Sequence, residues 1–184
     1  MKKVFLTAVF LLAATPTLAA HWNVDYAKSK LGFTVRWSNE PFVATFKSWK
    51  ANIDFDPADP THAHVLATIS IASEVSDTPD NDDGLKGPEG FAASQFPEAK
   101  FEATGFTPQG TGKYVANGKL TIRNLTRPLS LPFMLTLKGD NAHMVGTAQV
   151  TRTDFGIGQG QWAASDPIAH EVAINIDLVA SEAH

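Results

Sequence analysis

The stretch Leu129–Lys138, "LSLPFMLTLK", places Leu129, Leu131, Phe133, Leu135 and Leu137 at every second position, with Ser130, Pro132, Met134, Thr136 and Lys138 between them. Successive side chains of a strand point to opposite faces, whereas a helix returns to one face only every three or four residues. The stretch is therefore a strand with one apolar face. Upstream, Tyr114–Ala116 and Lys119–Ile122 flank Asn117-Gly118, the pair most favoured in two-residue hairpin turns, which predicts a tight turn at 117–118. Downstream, "KGDN" (138–141) turns the chain into a further strand between Met144 and Thr153.

The same period runs through most of the chain. Leu31, Phe33, Val35 and Trp37 alternate with Gly32, Thr34 and Arg36, and Trp49, Ala51, Ile53 and Phe55 alternate with Lys50, Asn52 and Asp54. "DPADP" (56–60) breaks that run before Val65, Ala67, Ile69 and Ile71 form the next apolar face. Phe101 and Ala103, and finally Val172, Ile174, Ile176 and Leu178, complete about eight strands. Clean alternation over consecutive strands implies an antiparallel sheet buried on one face. Eight such strands close into a barrel wide enough for side chains or one elongated ligand. A two-sheet sandwich is the rival architecture, and periodicity does not separate the two.

One segment lacks the rhythm. Residues 78–97, "TPDNDDGLKGPEGFAASQFP", are polar and rich in Gly and Pro, and read as a long excursion carrying a short helix near 89–94. No internal repeat or linker interrupts the remainder, so residues 21–184 read as a single domain.

Residues 1–20 read differently. Lys2 and Lys3 precede the apolar run Val4–Ala14, which is too short to span a bilayer, and Pro16, Thr17, Ala19 and Ala20 follow. That is the pattern of an export signal, with cleavage after Ala19 or Ala20 and a periplasmic destination. The chain has no cysteine, so an exported fold would rest on its apolar core alone, with no thiol as nucleophile or metal ligand. Its net charge is −4, and losing Lys2 and Lys3 takes it to −6. An acidic chain without basic clusters argues against nucleic acid as a partner.

Groups that carry chemistry are sparse. His62 and His64 are close in sequence but lack a third metal ligand, and read as exposed residues leading into a strand. "DNDDG" (80–84) lacks the spacing of a calcium loop and reads as a solvated loop capping a helix. Asn124-Leu-Thr126 is a glycosylation sequon in a turn. No nucleophile elbow or Ser–Lys pair is present, so no catalytic residue, metal or cofactor is expected.

The remaining anomaly is "TRTDFGIGQGQW" (151–162), with glycines at 156, 158 and 160. No Lys-Ser/Thr follows, so it is not a phosphate loop, and no βαβ unit contains it. It reads as a strand end and barrel-rim loop over which Trp162 could fold its ring. Arg152 and Asp154, two apart on one strand face, suggest a structural ion pair.

"TRTDFGIGQGQW" resembles the R-x-D-F-G-i-G signature near the end of YceI-like domains, the periplasmic polyisoprenoid-binding family. Other matching pieces follow in the family's order: "LGFTVRW" (31–37), "FDPADP" (55–60), "LKGPEGF…FPEAKFEAT" (85–104) and "GKLTIRNLTRPLSLPF" (118–133). The Gly-x-Gly-x-Trp ending resembles a branch found with cytochrome b561-type membrane proteins. The resemblance covers nearly all of residues 22–180. It implies an all-β, eight-stranded antiparallel, lipocalin-like barrel with a short helical insertion, holding a long amphiphile such as a polyisoprenoid, a prenyl quinone or a fatty-acid derivative. The chain departs from the pattern where many relatives have a His in place of Trp37. Another departure is Asn81-Asp-Asp-Gly-Leu85, which stands where many have Arg-Asp-x-His-Leu, and a third is Gly90-Phe91, which replaces an aromatic pair. Contacts to a polar headgroup therefore do not carry over.

The resulting expectation is an exported, non-enzymatic carrier of an isoprenoid or quinone-like lipid. The alternative is a non-transporting interaction module for a membrane cytochrome, which an exposed apolar patch around Trp162 would favour. Candidate tunnel residues in the first half of the chain are Phe33, Val35, Phe46, Phe55, Ile69, Phe91 and Phe96. Those in the second half are Phe101, Leu120, Ile122, Leu131, Phe133, Val172 and Ile174. A small barrel also needs such residues simply as core.

Overall fold

The computed structural model describes residues 20–183; apart from Ala20, the segment read as an export signal lies outside them. The chain forms β1 (His21–Val24), β2 (Lys30–Trp37), β3 (Glu40–Phe46), β4 (Trp49–Asp54), β5 (His64–Ser70), β6 (Glu74–Ser76), α1 (Pro79–Lys86), β7 (Glu98–Pro108), β8 (Lys113–Ile122), β9 (Leu125–Lys138), β10 (Asn141–Thr151) and β11 (Ile168–Glu182). Every pairing is antiparallel. Eight strands close a ring in the order β1–β4–β5–β7–β8–β9–β10–β11 and back to β1. Closure rules out the sandwich and removes the exposed edges an open sheet would have.

β11 closes the ring because it is long enough to serve two partners along one edge. Its residues Ala180–Glu182 pair with Val24–Trp22 of β1, and Ile168–Asp177 pair with Trp37–Lys30 of β2. From β2 the sheet continues through β3 to β6, a three-strand leaf whose free edge α1 packs against.

Two sequence expectations are corrected here. Asn117-Gly118 is not a turn: both residues lie inside β8, where Gly118 faces Ala103 of β7 beside a slip in register. A Cβ at 118 would collide with the carbonyl oxygen of Glu102 and come within 2.9 Å of the Phe101 ring. The glycine allows two backbones to approach, and the Asn side chain is held outside by Thr107 and Ser130. The tight turn falls instead at Arg123-Asn124, both at positive φ (51° and 59°), as a two-residue hairpin requires. The helix occupies 79–86, not 89–94. Pro79 opens it, Asp80 and Asp82 sit in its first turn and Lys86 in its last, each favourable to the helix dipole. The Asp82 carboxylate accepts hydrogen bonds from the Ser76 backbone N–H and hydroxyl, tying α1 to β6.

Inward-facing residues of all the long strands form one core. At the β1 end it is narrowed by aromatic rings. Trp22 donates its indole N–H to the Phe55 carbonyl at 2.9 Å, Phe55 meets Phe106 and Tyr114 edge-on, and Phe133 stacks on Tyr114 with centroids 5.4 Å apart. The opposite end is not filled.

Candidate functional site

Between the barrel wall and α1 lies a cavity of about 340 Å³. That is within the usual range for small-molecule sites. Strands β2, β5, β7, β8, β9 and β11 supply its walls through Phe33, Val35, Ile69, Phe101, Leu120, Ile122, Leu131, Val172 and Ile174, with Phe46 from β3 and Phe91 after α1. These eleven expected tunnel residues thus share one cavity: strand alternation aims ten of them inward, and Phe91 packs in from the segment after α1. Phe55 and Phe133 line a second, smaller cavity of about 120 Å³ toward the aromatic end. Leu31, Ala67, Phe101, Leu131 and Ile176 border both cavities and form a waist between them. Phe96 lines neither. Its ring lies under the Arg123 guanidinium, 5.7 Å from centroid to Cζ.

Sequence reading missed several wall residues. Trp37 lies in phase with Leu31, Phe33 and Val35, and Ala148 and Val150 lie on the inward face of β10. All three follow from alternation once small and large residues are weighed alike. Asp80, Asn81, Gly84, Leu85 and Glu89 also line the cavity, and nothing in their local pattern marks them. Asp80, Gly84 and Glu89 are the solvent-exposed members of the lining, so the mouth opens beside α1. Trp37 and Trp162 meet edge-on there, with ring centroids 6.1 Å apart.

The segment 151–162 forms the opposite lip, with a geometry other than the extended one expected. Arg152–Phe155 is a 3-10 turn, and Gly156, Gly158 and Gly160 have φ of 67°, 74° and 59°. A side chain at such angles is strained. Gly158 and Gln159 donate backbone hydrogen bonds to the Glu89 carbonyl, joining the two lips. The expected Arg152–Asp154 ion pair does not form. Asp154 is exposed, whereas Arg152 is buried and spends its guanidinium on five backbone carbonyls: Nε on Ala169, Nη1 on Ile157 and Gly158, and Nη2 on Ala164 and Ile168. Those acceptors include the stretch where β11 slips in register against β2, so the arginine supplies donors that the ladder does not. Five donors in a rigid fork suit this cage, and no donor remains for a ligand.

One further carboxyl stands out. Glu74, on β6 under α1, is fully buried, and neither of its oxygens has a hydrogen-bond partner. Burial first, and the Asp82 carboxylate second, push it up to about 7, against the pull of Lys86, whose Nζ is 3.8 Å away. The histidines expected to lead into a strand are exposed or half-exposed and paired separately, His62 with Asp59 and His64 with Glu102.

Residues 22–180 match the family described as YceI-like domain. A UPF0312 protein of Shewanella baltica is 27% identical over 95% of this chain and 97% of its own. Another, from Photorhabdus laumondii, is 32% identical over 66% of this chain and 64% of its own. The crystal structure of Burkholderia cenocepacia BcnA superposes with a TM-score of 0.84 at 31% identity, covering 86% of this chain and all of that one. A domain from Saccharophagus degradans described as polyisoprenoid-binding shares the fold, with a TM-score of 0.67 at 12% identity, covering 91% of this chain and all of that one.

Proposed function

The chain belongs to the YceI-like family, and on that premise we propose that it is a non-enzymatic binding protein that buries the tail of a long amphiphile, a polyisoprenoid, prenyl quinone or fatty-acid derivative, in the barrel. The observation that carries the reading is the cavity itself: an almost wholly apolar chamber, open beside α1, that continues past the waist into a smaller apolar space among the aromatic rings. A folded chain does not leave such a space unfilled without loss of contacts. Burying a tail recovers about 0.8 kcal/mol per CH₂, so a dozen carbons supply roughly 10 kcal/mol before the costs of association. The polyisoprenoid-binding description of the Saccharophagus neighbour supports the same ligand class.

The rival interaction-module reading wanted an exposed apolar patch around Trp162. That side chain is half-buried against Trp37, so the geometry favours the carrier. Export to the periplasm by cleavage after Ala19 or Ala20 completes the proposal. Protein purified from its own cell envelope should begin at Ala20 or His21 and release prenyl or acyl species into organic solvent. An intact leader, or an extract without long-chain lipid, would count against it.

A further inference from the structure

The mouth of the cavity carries charge of one sign only. Among the described residues that line the cavity, the charged ones are Asp80, Glu89 and Arg152. Arg152 is buried, and its donors are all engaged by backbone carbonyls. Asp80 and Glu89 are exposed at the rim and form no ion pair among the described residues. The nearby cations are also committed. Lys86 faces buried Glu74, and Arg123 donates to the Gly90 and Pro88 carbonyls. What the mouth does offer is neutral: the edge-on Trp37 and Trp162 rings, whose indole N–H groups find no acceptor among the described residues, and the Asn81 amide.

We infer that the site selects amphiphiles with an uncharged, hydrogen-bond-accepting head, such as an alcohol or quinone, and discriminates against phosphate and carboxylate heads. The inference rests on the carrier reading and narrows it. A tail in the apolar chamber leaves its head at the rim, where a phosphate would face two carboxylates without a free cation. An anion leaving water needs a charged or multidentate donor to replace its hydration. Indole and amide donors suffice for a neutral oxygen and not for a dianion.

The test uses lipid-stripped protein loaded with N-phenyl-1-naphthylamine, a neutral fluorescent probe, displaced by geranylgeraniol or by geranylgeranyl phosphate. The tails are identical, so the head alone differs. The alcohol should displace the probe at roughly tenfold lower concentration at low salt, since exposed charges at short range are worth a modest but additive amount. The gap should narrow in high salt and in the Asp80→Asn/Glu89→Gln variant, through a gain in affinity for the phosphate relative to the alcohol. Displacement by the phosphate at equal or lower concentration overturns the inference and leaves the carrier standing. A gap unmoved by the double substitution overturns it too. Failure of both lipids to displace the probe removes the carrier reading itself.

Discussion

The Cβ that any other residue would place at position 158 falls on Nη1 of Arg152. Gly158 also sits at φ 74°, so substitution meets two penalties at once. Gly158→Ala should destabilise the protein by roughly 1–3 kcal/mol from backbone strain, with a further loss as the guanidinium is displaced. A denaturant midpoint unchanged from the parent would leave the lip geometry without support.

Arg152 itself should be more costly to lose than its place in an apparent surface ion pair suggested. Arg152→Ala strips donors from five carbonyls, two of them buried and three part-buried. A loss on the order of 3–5 kcal/mol is expected. Arg152→Lys should recover little, because an ammonium cannot reproduce the planar fork. Equal stability of the Lys variant and the parent in urea melts would contradict the cage.

Glu74 makes stability depend on pH. Its folded value is raised to about 7 from 4.5, so the neutral form is the one the fold accommodates. Its contribution is present in full below about 4.5 and is lost as pH rises toward 7, a change of about 3 kcal/mol at 1.36 kcal/mol per unit. The groups facing it are Asp82 and Lys86 of α1. Asp82 acts in the opposite sense: burial would raise it, but the Ser76 hydrogen bonds and Lys86 hold it low, so its contribution is lost as pH falls through its depressed value. The stability of Glu74→Gln should vary less than the parent's between about pH 4.5 and 7, the interval between the unfolded and folded values. Parallel pH profiles for the two proteins would show that Glu74 does not titrate in this range.

Phe101 at the waist should govern tail length. It borders both cavities and is buried, so Phe101→Ala opens one chamber into the other. Truncation of a fully packed Phe typically costs about 3–5 kcal/mol; with open space on two sides, Phe101 should cost less. Competition between farnesyl and geranylgeranyl alcohols should shift toward the longer tail in the variant. A large stability loss with unchanged preference would mean the waist is simply core.

The strands and their apolar faces were legible because alternation is a local property, whereas closure into a barrel rather than a sandwich was implied by the family resemblance alone. Leu129–Leu137 and Leu31–Trp37 announce their faces without reference to any partner, and inward-facing residues must converge once the ring closes. What failed were positions whose meaning depends on a distant strand. Asn117-Gly118 has the chemistry of a turn, yet its glycine serves the approach of Glu102 across the sheet. Arg152 has Asp154 beside it in sequence, yet its acceptors lie up to seventeen residues further along the chain, as far as the start of β11. The mouth was illegible for the same reason, since Asp80 and Glu89 join Trp37 and Trp162 only through tertiary contact.

The central claim is that the chamber beside α1 receives the lipid tail, and a single paired measurement tests it. Ala148 is buried on the inward face of β10 and lines only the larger cavity, so Ala148→Phe places a ring in the space assigned to the tail. Lipid-stripped parent and variant would each be incubated with a prenyl quinone at micromolar concentration and weighed intact by native mass spectrometry, with thermal melts to confirm that both are folded. The parent should carry one lipid per chain and the folded variant little or none. A parent that takes up no lipid, or a folded variant that takes up as much as the parent, would contradict the account.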